Sequence, residues 1–167
     1  MEFEEFAQAR LPALLRYAAL LSGDRELARD LVQEVLTRAL VRWRRIGAVA
    51  EPYAYVRTMV TNEFLSMRRR RVLPTIALSG TTTVAQADRT GELGEREDLW
   101  HRLAQLPRQQ RAVLVLRYYE DLTDQEIADV LACRPATVRA YAARALATLR
   151  ISLAAEESMS TRNLGAR

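Results

Sequence analysis

Apolar residues recur every three or four positions along most of this 167-residue chain, which is the spacing of amphipathic helices. In the first part of the chain this pattern predicts three helices, over residues 3–21, 25–44 and 51–71. Gly23 and Asp24, between the first two, are typical of a helix C-terminus and of the next N-cap. Pro12 is expected to start or kink the first helix. The second helix carries the widest apolar stripe, from Leu27 to Trp43 and including Leu40, so we place it at the centre of a small bundle.

The same spacing returns in the last third of the chain, where it predicts helices over 95–106 and 108–120 and then a helix-turn-helix unit over 123–150. Thr123 and Glu126 form a capping-box sequence, and Leu122 and Ile127 are placed to close a hydrophobic staple around it. Pro135 is suited to the first position of the second helix of this unit. The buried stripe of that helix is predicted to contain Val138, Ala142, Ala145 and Leu149.

Between these parts, residues 72–94 show no sustained period and contain three glycines and a run of three threonines, so we interpret them as a flexible linker. The sequence therefore predicts an all-α protein with two small helical domains, over 1–71 and 95–150. After Arg150 the apolar period fades, and residues 151–167 are expected to form a tail that frays at its end.

Charge separates sharply within the helix-turn-helix unit. Its first helix carries three acidic residues, whereas the second carries four arginines and no acid as far as residue 150: Arg134, Arg139, Arg144 and Arg150. A helix that buries one face and exposes only arginine on the other suits phosphates and base edges. A merely solvated arginine face is the alternative, but the helix-turn-helix spacing favours DNA binding.

The overall composition agrees with a polyanionic partner, since the net charge is +4 and the sequence pI is about 9.7. One cysteine excludes an internal disulfide and fits a reducing cytoplasm. The sequence contains no signal peptide and no long apolar run, so we expect no membrane insertion. It also lacks a His/Cys cluster, a catalytic triad and a glycine-rich phosphate loop. We therefore expect no enzymatic activity, no cofactor and no metal site.

Three segments together resemble the extracytoplasmic-function (ECF) sigma factors of bacterial RNA polymerase, in the actinobacterial SigE-like branch. They are DLVQEVLTRAL at 30–40, AYVRTMVTNEFLSMRRRR at 54–71, and LPRQQRAVLVLRYYEDLTDQEIADVL with ATVRAYAARALATLR within 106–150. The segments occur in the order and at the spacing of that family. The resemblance implies that residues 1–71 are sigma region 2 and that residues 95–150 are sigma region 4.

The resemblance also implies roles for individual residues. The polar strip of the long helix would bind the β′ clamp helices of core RNA polymerase, and region 4 would contact the β flap. The loop 45–51 and the helix after it would open the minus-ten promoter element and hold a flipped base, and the last helix would read the minus-thirty-five element. An anti-sigma factor is a further candidate partner that the sequence leaves open. The implied residues are Asp30, Gln33 and Glu34 for polymerase, Asn62, Arg57 and Arg68 for the minus-ten element, and Arg134, Thr137, Arg139, Ala140 and Arg144 for the minus-thirty-five element.

Two other classes of protein remain as alternatives at this point. A helix-turn-helix repressor or activator would act as a dimer on a palindrome, although the first domain shows neither a ligand pocket nor a dimerising heptad. An enzyme acting on nucleic acid would show a metal-dependent activity. The expected function is that of an alternative sigma factor that acts in the cytoplasm and directs promoter recognition, DNA melting and transcription initiation.

Overall fold

The structure of the protein, a computed structural model, describes the backbone of residues 1–70 and 91–164 and the side chains of 1–67, 97–155 and 157. These residues form helices and no strand. The helices are α1 (Phe3–Ser22), α2 (Arg25–Val41), α3 (Trp43–Ile46), α4 (Pro52–Arg70), α5 (Gly91–Gln105), α6 (Arg108–Leu114), α7 (Asp124–Leu131) and α8 (Pro135–Leu164). A π-helical turn, Val115–Tyr119, continues α6.

The first half is a bundle in which α1 packs on α2 and both pack on α4. The turn between α1 and α2 forms as the sequence predicts. Gly23 adopts φ 70°, a left-handed conformation that glycine takes without a Cβ clash, and the Asp24 carboxylate accepts from the amides of Glu26 and Leu27. This turn fixes the direction of α2, and with it the surface that α2 exposes.

One hydrogen bond is fully buried between α1 and α4. The Thr61 hydroxyl donates to the carbonyl of Arg57, 2.9 Å away, so its oxygen is left to accept from the Tyr17 hydroxyl at 2.7 Å. Burial raises the pKa of Tyr17, which keeps the phenol protonated and able to donate. The bond therefore fixes how α4 lies against α1.

In the second half, the helix-turn-helix unit packs on α6. The Thr123 hydroxyl accepts from the Glu126 amide at 3.3 Å, and the Glu126 carboxylate accepts from the Thr123 amide at 2.7 Å, which confirms the predicted capping box. Of the predicted stripe on α8, Val138, Ala142 and Ala145 are buried, whereas Leu149 is half-buried. The opposite face of α8 is left in solvent.

The two halves share one hydrophobic core. A single cluster of buried side chains contains Val56 and Phe64 from α4 together with Leu116, Ile127 and Val138 from the second half. Gly23 lies against α5, because a Cβ built on it would be 2.9 Å from the Ala104 Cβ. The second half is therefore packed directly on the first.

Two arginines of α6 tie this contact to backbone carbonyls. Arg111 is buried, and its guanidinium donates to the carbonyls of Leu21 at 2.7 Å, Ala104 at 2.6 Å and Leu106 at 2.9 Å. Burial lowers the pKa of Arg111, with the nearby Arg108 charge as a smaller cause. Arg108 donates to the Phe64 carbonyl at 2.9 Å. Both arginines thus bridge the halves, since Arg111 binds a carbonyl in the last turn of α1 and Arg108 binds one within α4.

Several helix boundaries differ from the sequence prediction. Pro12 lies inside α1 and does not start it. The predicted helix 25–44 is interrupted at Arg42, where α2 gives way to the short α3. The helix predicted from residue 95 begins at Gly91, and α8 continues to Leu164, into the segment 151–167 that the sequence predicts as a tail. Of the segment predicted as a linker, residues 72–90 lie outside the described residues.

Some predicted core positions are also exposed. Leu40 is 50% exposed although it belongs to the predicted stripe of α2. The apolar spacing of the next helices also predicts that Tyr55 and Leu99 face inward, but both are exposed. The sequence predicts that Tyr118 and Tyr119 are packing residues with one partly exposed, but both are exposed. Leu40 lies in the last turn of α2, just before the helix breaks at Arg42, and the bundle does not cover it.

Candidate nucleic-acid and partner interfaces

The residues predicted to contact the minus-thirty-five element lie on the exposed face of α8. Arg134, Arg139, Ala140 and Arg144 are exposed and Thr137 is half-buried, all within the first three turns of the helix or just before it. Val138, Ala142 and Ala145 hold the opposite face of the helix on α6 and α7. Since Val138, Ala142 and Ala145 anchor this part of the helix, these side chains are presented together on one surface, as insertion into a major groove requires.

One acid helps to orient the arginine at the centre of this surface. Asp124, the first residue of α7, forms an ion pair with Arg117, and this hydrogen bond raises the pKa of Arg117. The other oxygen of Asp124 lies 3.9 Å from a terminal nitrogen of Arg139, whose side chain is 61% exposed. Arg139 is therefore held near Asp124 while its guanidinium remains accessible.

The turn between α7 and α8 is built on a left-handed residue that is not glycine. Ala132 adopts φ 51°, and its amide and that of Cys133 both donate to the carbonyl of Ala128. This pattern ends α7 in the manner of a Schellman motif. Cys133 is half-buried, and burial raises the pKa of its thiol, so the residue acts as a small apolar group in the turn.

A polar strip lies exposed along α2. Asp30, Gln33 and Glu34 are all exposed, and the Glu34 carboxylate pairs with Arg38 at 3.1 Å. Arg38 also pairs with Glu63 of α4, and this hydrogen bond raises the pKa of Arg38. Arg38 thus links Glu34 of the strip to Glu63 of the bundle. The side chains of Asp30, Gln33 and Glu34 remain exposed to a partner.

An apolar groove of about 450 Å³ runs beside this strip, between α1 and α2. Its lining includes Gln33 of the strip together with Leu11, Leu36 and Leu40. A polar strip next to an apolar groove suits a helical partner that combines an apolar ridge with polar flanks. The exposed Leu40, which the sequence assigned to the core, belongs to this surface.

The three residues selected for the minus-ten element have different surroundings on α4. Asn62 is exposed, and the side chain of Arg68 lies outside the described residues. Arg57 is only 7% exposed, and its guanidinium is bound 2.6 Å from the carboxylate of Glu120 in the second half. In this arrangement Asn62 is accessible to DNA and Arg57 is not.

Sequence reasoning missed the residues that join the two halves, and Glu120 above all. Its carboxylate accepts from Arg57 and from the Tyr53 hydroxyl at 2.9 Å. Burial raises the pKa of Tyr53, with the charge of Glu120 as the next cause, so the phenol stays a donor. Glu120 follows the π-helical turn directly, and nothing in its neighbourhood in the sequence marks it as different from a solvated acid.

Among the residues that the structure describes, no group of three or more His, Cys, Asp or Glu side chains is arranged to hold a metal ion. None of the helices there combines the length and the apolar character needed to cross a bilayer.

Comparison with known protein families matches both halves. Residues 6–72 match the model of "Sigma-70 region 2", and residues 96–149 match that of "Sigma-70, region 4". The region 2 match thus runs from within α1 to the end of α4, and the region 4 match runs from within α5 to the middle of α8. Of the candidate residues above, those on α2 and α4 fall within the first match and those at α8 within the second.

Curated relatives match over nearly their whole length. The chain is 34% identical to the RNA polymerase sigma-E factor of Streptomyces avermitilis over 167 residues, covering all of this chain and 90% of the relative. It is 34% identical to the ECF RNA polymerase sigma factor SigL of Mycobacterium tuberculosis over 145 residues, covering 84% of this chain and 82% of the relative.

A solved structure shares the fold. It is the sigma factor RpoE of Bartonella quintana in complex with the anti-sigma factor NepR, at 24% identity and a TM-score of 0.65, and the match covers 90% of this chain and 96% of that one. The two region matches, the curated relatives and the common fold agree on one assignment. This chain belongs to the ECF family of RNA polymerase sigma factors.

Proposed function

We propose that this chain binds core RNA polymerase and directs promoter recognition, DNA melting and transcription initiation as an alternative sigma factor of the ECF type. The observation that carries this proposal is the exposed arginine face of α8 on a well-anchored helix-turn-helix unit, within a region 4 match. Residues 1–71 act as region 2, 72–94 as the linker, 95–150 as region 4 and 151–167 as a tail. Because the partner is polymerase, the protein acts in the cytoplasm.

Core polymerase binds the polar strip of α2 through Asp30, Gln33 and Glu34. The strip is exposed, and Arg38 and Glu63 hold it rigidly on the bundle, so little conformational freedom is lost on binding. The adjoining apolar groove between α1 and α2 adds contact area for the β′ clamp helices. Region 4 contacts the β flap, which would place the two halves on separate parts of the polymerase.

Promoter DNA is contacted by both halves. Arg139, Thr137 and Ala140 read base edges of the minus-thirty-five element in the major groove, while Arg134 and Arg144 neutralise flanking phosphates. On α4, Asn62 and Arg68 bind the minus-ten element directly, and Arg57, which is paired with Glu120 in this structure, binds it once that pair is broken. Capture of an unstacked base there would offset an unpairing cost of about a few kcal/mol.

The chain performs no chemistry of its own in this proposal, since the polymerase supplies catalysis and the chain supplies specificity. The family match favours this role over the dimeric helix-turn-helix regulator, which would need a palindromic site and a dimer interface. An anti-sigma factor remains a candidate regulatory partner, as the RpoE–NepR complex of a structural relative suggests.

Run-off transcription with purified core polymerase tests the proposal. Polymerase alone and polymerase with this chain are compared on genomic fragments of the source bacterium. We expect discrete start sites only when the chain is present. Equal transcript patterns in both reactions, or a palindromic footprint by the chain without polymerase, would contradict the sigma-factor assignment.

A further inference from the structure

Asp124 lies between two arginines, on the side of the helix-turn-helix unit that carries the exposed arginines of α8. It is the first residue of α7, and its side chain is 30% exposed. Its Oδ1 atom accepts a hydrogen bond from Arg117 of the π-helical turn, and its Oδ2 atom lies 3.9 Å from a terminal nitrogen of Arg139. One carboxylate therefore links the π-helical turn to the exposed face of α8.

The two arginines relate to this carboxylate in different ways. The side chain of Arg117 is 23% exposed, and its hydrogen bond to Asp124 raises its pKa, so it remains a charged donor that fixes the carboxylate. The side chain of Arg139 is 61% exposed. Its 3.9 Å contact with Asp124 is too long for a hydrogen bond and uses none of its N–H donors. The carboxylate thus attracts the guanidinium of Arg139 and leaves its donors available to a ligand.

Arg117, Asp124 and Arg139 line a shallow cleft of about 590 Å³ between the start of α7 and α8. Asp124 is the single acid among the residues that line it. A phosphate that approaches Arg139 from this cleft is repelled by the carboxylate, because both carry negative charge. A base edge carries no net charge and is not repelled in this way. Guanine offers the O6 and N7 acceptors that the planar fork of an arginine binds together.

We propose that Asp124 determines specificity at one position of the minus-thirty-five element, because it directs Arg139 to the O6 and N7 atoms of a guanine and away from the neighbouring phosphates. The DNA site itself rests on the proposed function. Asp124 is a positioning residue here, since it acts through Arg139 and does not contact the base. Without the carboxylate, Arg139 is a long exposed cation that binds the nearest phosphate, and every DNA sequence offers one.

Loss of the carboxylate changes two measurable quantities in opposite directions. Discrimination in favour of guanine falls, because a bidentate contact with a base is lost. Affinity for unrelated duplexes rises, because a phosphate contact is gained, and the slope of log K against log salt concentration becomes steeper by about 0.9. A purely structural role of Asp124 would weaken both kinds of binding together and would not steepen the slope.

Selection from a randomised double-stranded DNA library on the full-length protein, with and without core polymerase, measures the base preference. The test variant is Asp124→Asn, which keeps the side-chain size and removes the charge. Asp129→Asn is the matched control, because Asp129 is an exposed acid of the same helix whose carboxylate accepts from Gln125 at 3.2 Å. We expect wild type and control to prefer guanine at one position by about tenfold or more, and Asp124→Asn to prefer it by less than about threefold, with unchanged helical circular dichroism.

The salt slope is measured on one duplex that lacks the selected sequence, by fluorescence anisotropy. We expect a slope steeper by about 0.9 for Asp124→Asn than for Asp129→Asn. Asp124→Glu, which keeps the charge, should restore most of the guanine preference. Asp124→Asn combined with Arg139→Ala should show the base preference of Arg139→Ala alone, because Asp124 acts through Arg139.

Three results would overturn the role of Asp124: an unchanged guanine preference in Asp124→Asn, an equal loss in Asp129→Asn, or no guanine preference in wild type. Run-off transcription separates this proposal from the proposed function. Discrete start sites together with a guanine preference that does not depend on Asp124 would refute only the role of Asp124. A guanine preference that depends on Asp124, without any start site, would refute only the sigma-factor function.

Discussion

The Tyr17 hydroxyl donates to the Thr61 hydroxyl at 2.7 Å in the interior of region 2, where both residues are fully buried. Tyr17→Phe removes the donor and leaves the Thr61 oxygen without its second partner. We expect a loss of about 1–2 kcal/mol in the free energy of unfolding, measured by urea denaturation. Tyr55→Phe, at an exposed position of α4, is the control, and an equal effect of both variants would contradict the assigned role of this bond.

Ala132 occupies a left-handed position at φ 51° in the turn of the helix-turn-helix unit, where a Cβ is strained. Ala132→Gly should therefore stabilise the protein by about 0.5–1 kcal/mol, the strain relief exceeding the entropy that glycine adds to the unfolded chain. Thermal unfolding measures this change. A lower melting temperature for Ala132→Gly than for wild type would show that the turn is not strained.

The capping box at the start of α7 gives a second stability prediction. Thr123→Ala removes the hydroxyl that accepts from the Glu126 amide, and we expect a loss of about 1 kcal/mol. Thr148→Ala serves as the control, because its hydroxyl is exposed and bonds only to the carbonyl of Arg144 within α8. Equal destabilisation by the two variants would argue against a capping role.

The same box makes stability depend on pH. Hydrogen bonds from the Thr123 amide and hydroxyl lower the pKa of Glu126 below its ordinary value of 4.5. Because the pKa of Glu126 is lower in the folded than in the unfolded state, its ionised carboxylate stabilises the folded state. This stabilisation is complete above pH 4.5 and is lost as the pH falls through the pKa of the folded state. The difference in melting temperature between wild type and Glu126→Gln should therefore shrink below pH 4.5. A difference that stays constant from pH 7 to pH 3 would exclude this linkage.

For the polymerase interface, the variant Asp30→Ala with Glu34→Ala should weaken binding to core polymerase at least tenfold. Both carboxylates are exposed, so the folded state loses little, apart from the exposed pair with Arg38. Affinity is measured by fluorescence anisotropy of labelled protein. Glu4→Ala, an exposed acid of α1, is the control, and an unchanged affinity of the double variant would remove the strip from the interface.

For promoter reading, Arg139→Ala should cost about 1–3 kcal/mol at one base position of the minus-thirty-five element. Arg150→Ala, at an exposed arginine farther along α8, should weaken binding uniformly or leave it unchanged. Binding to a panel of single-base promoter variants, with polymerase present, separates these patterns. A uniform loss for Arg139→Ala would assign this residue to the phosphate backbone instead.

Local signals in the sequence predicted much of the fold. Helix caps involve contacts within a few residues of the chain, so they could be predicted from the sequence alone. This holds for the caps formed by Gly23, Asp24, Thr123 and Glu126. The contact between the halves could not be predicted from the sequence, because its residues Arg57 and Glu120 are 63 positions apart in the chain. The same limit applies to Leu40, whose apolar spacing fits a core position but whose neighbours in space leave it exposed.

The core shared by regions 2 and 4 has a consequence for synthesis of the protein. A ribosome completes α4 well before α6 emerges, so in the nascent chain the Phe64 ring is not yet covered by Arg108 and Arg111, whose guanidinium groups lie 5.0 and 5.8 Å from its centroid. Exposed apolar surface of this kind is where chaperones bind and where incomplete chains aggregate. A chain truncated after region 2 would therefore be an aggregation-prone fragment and not a smaller soluble domain.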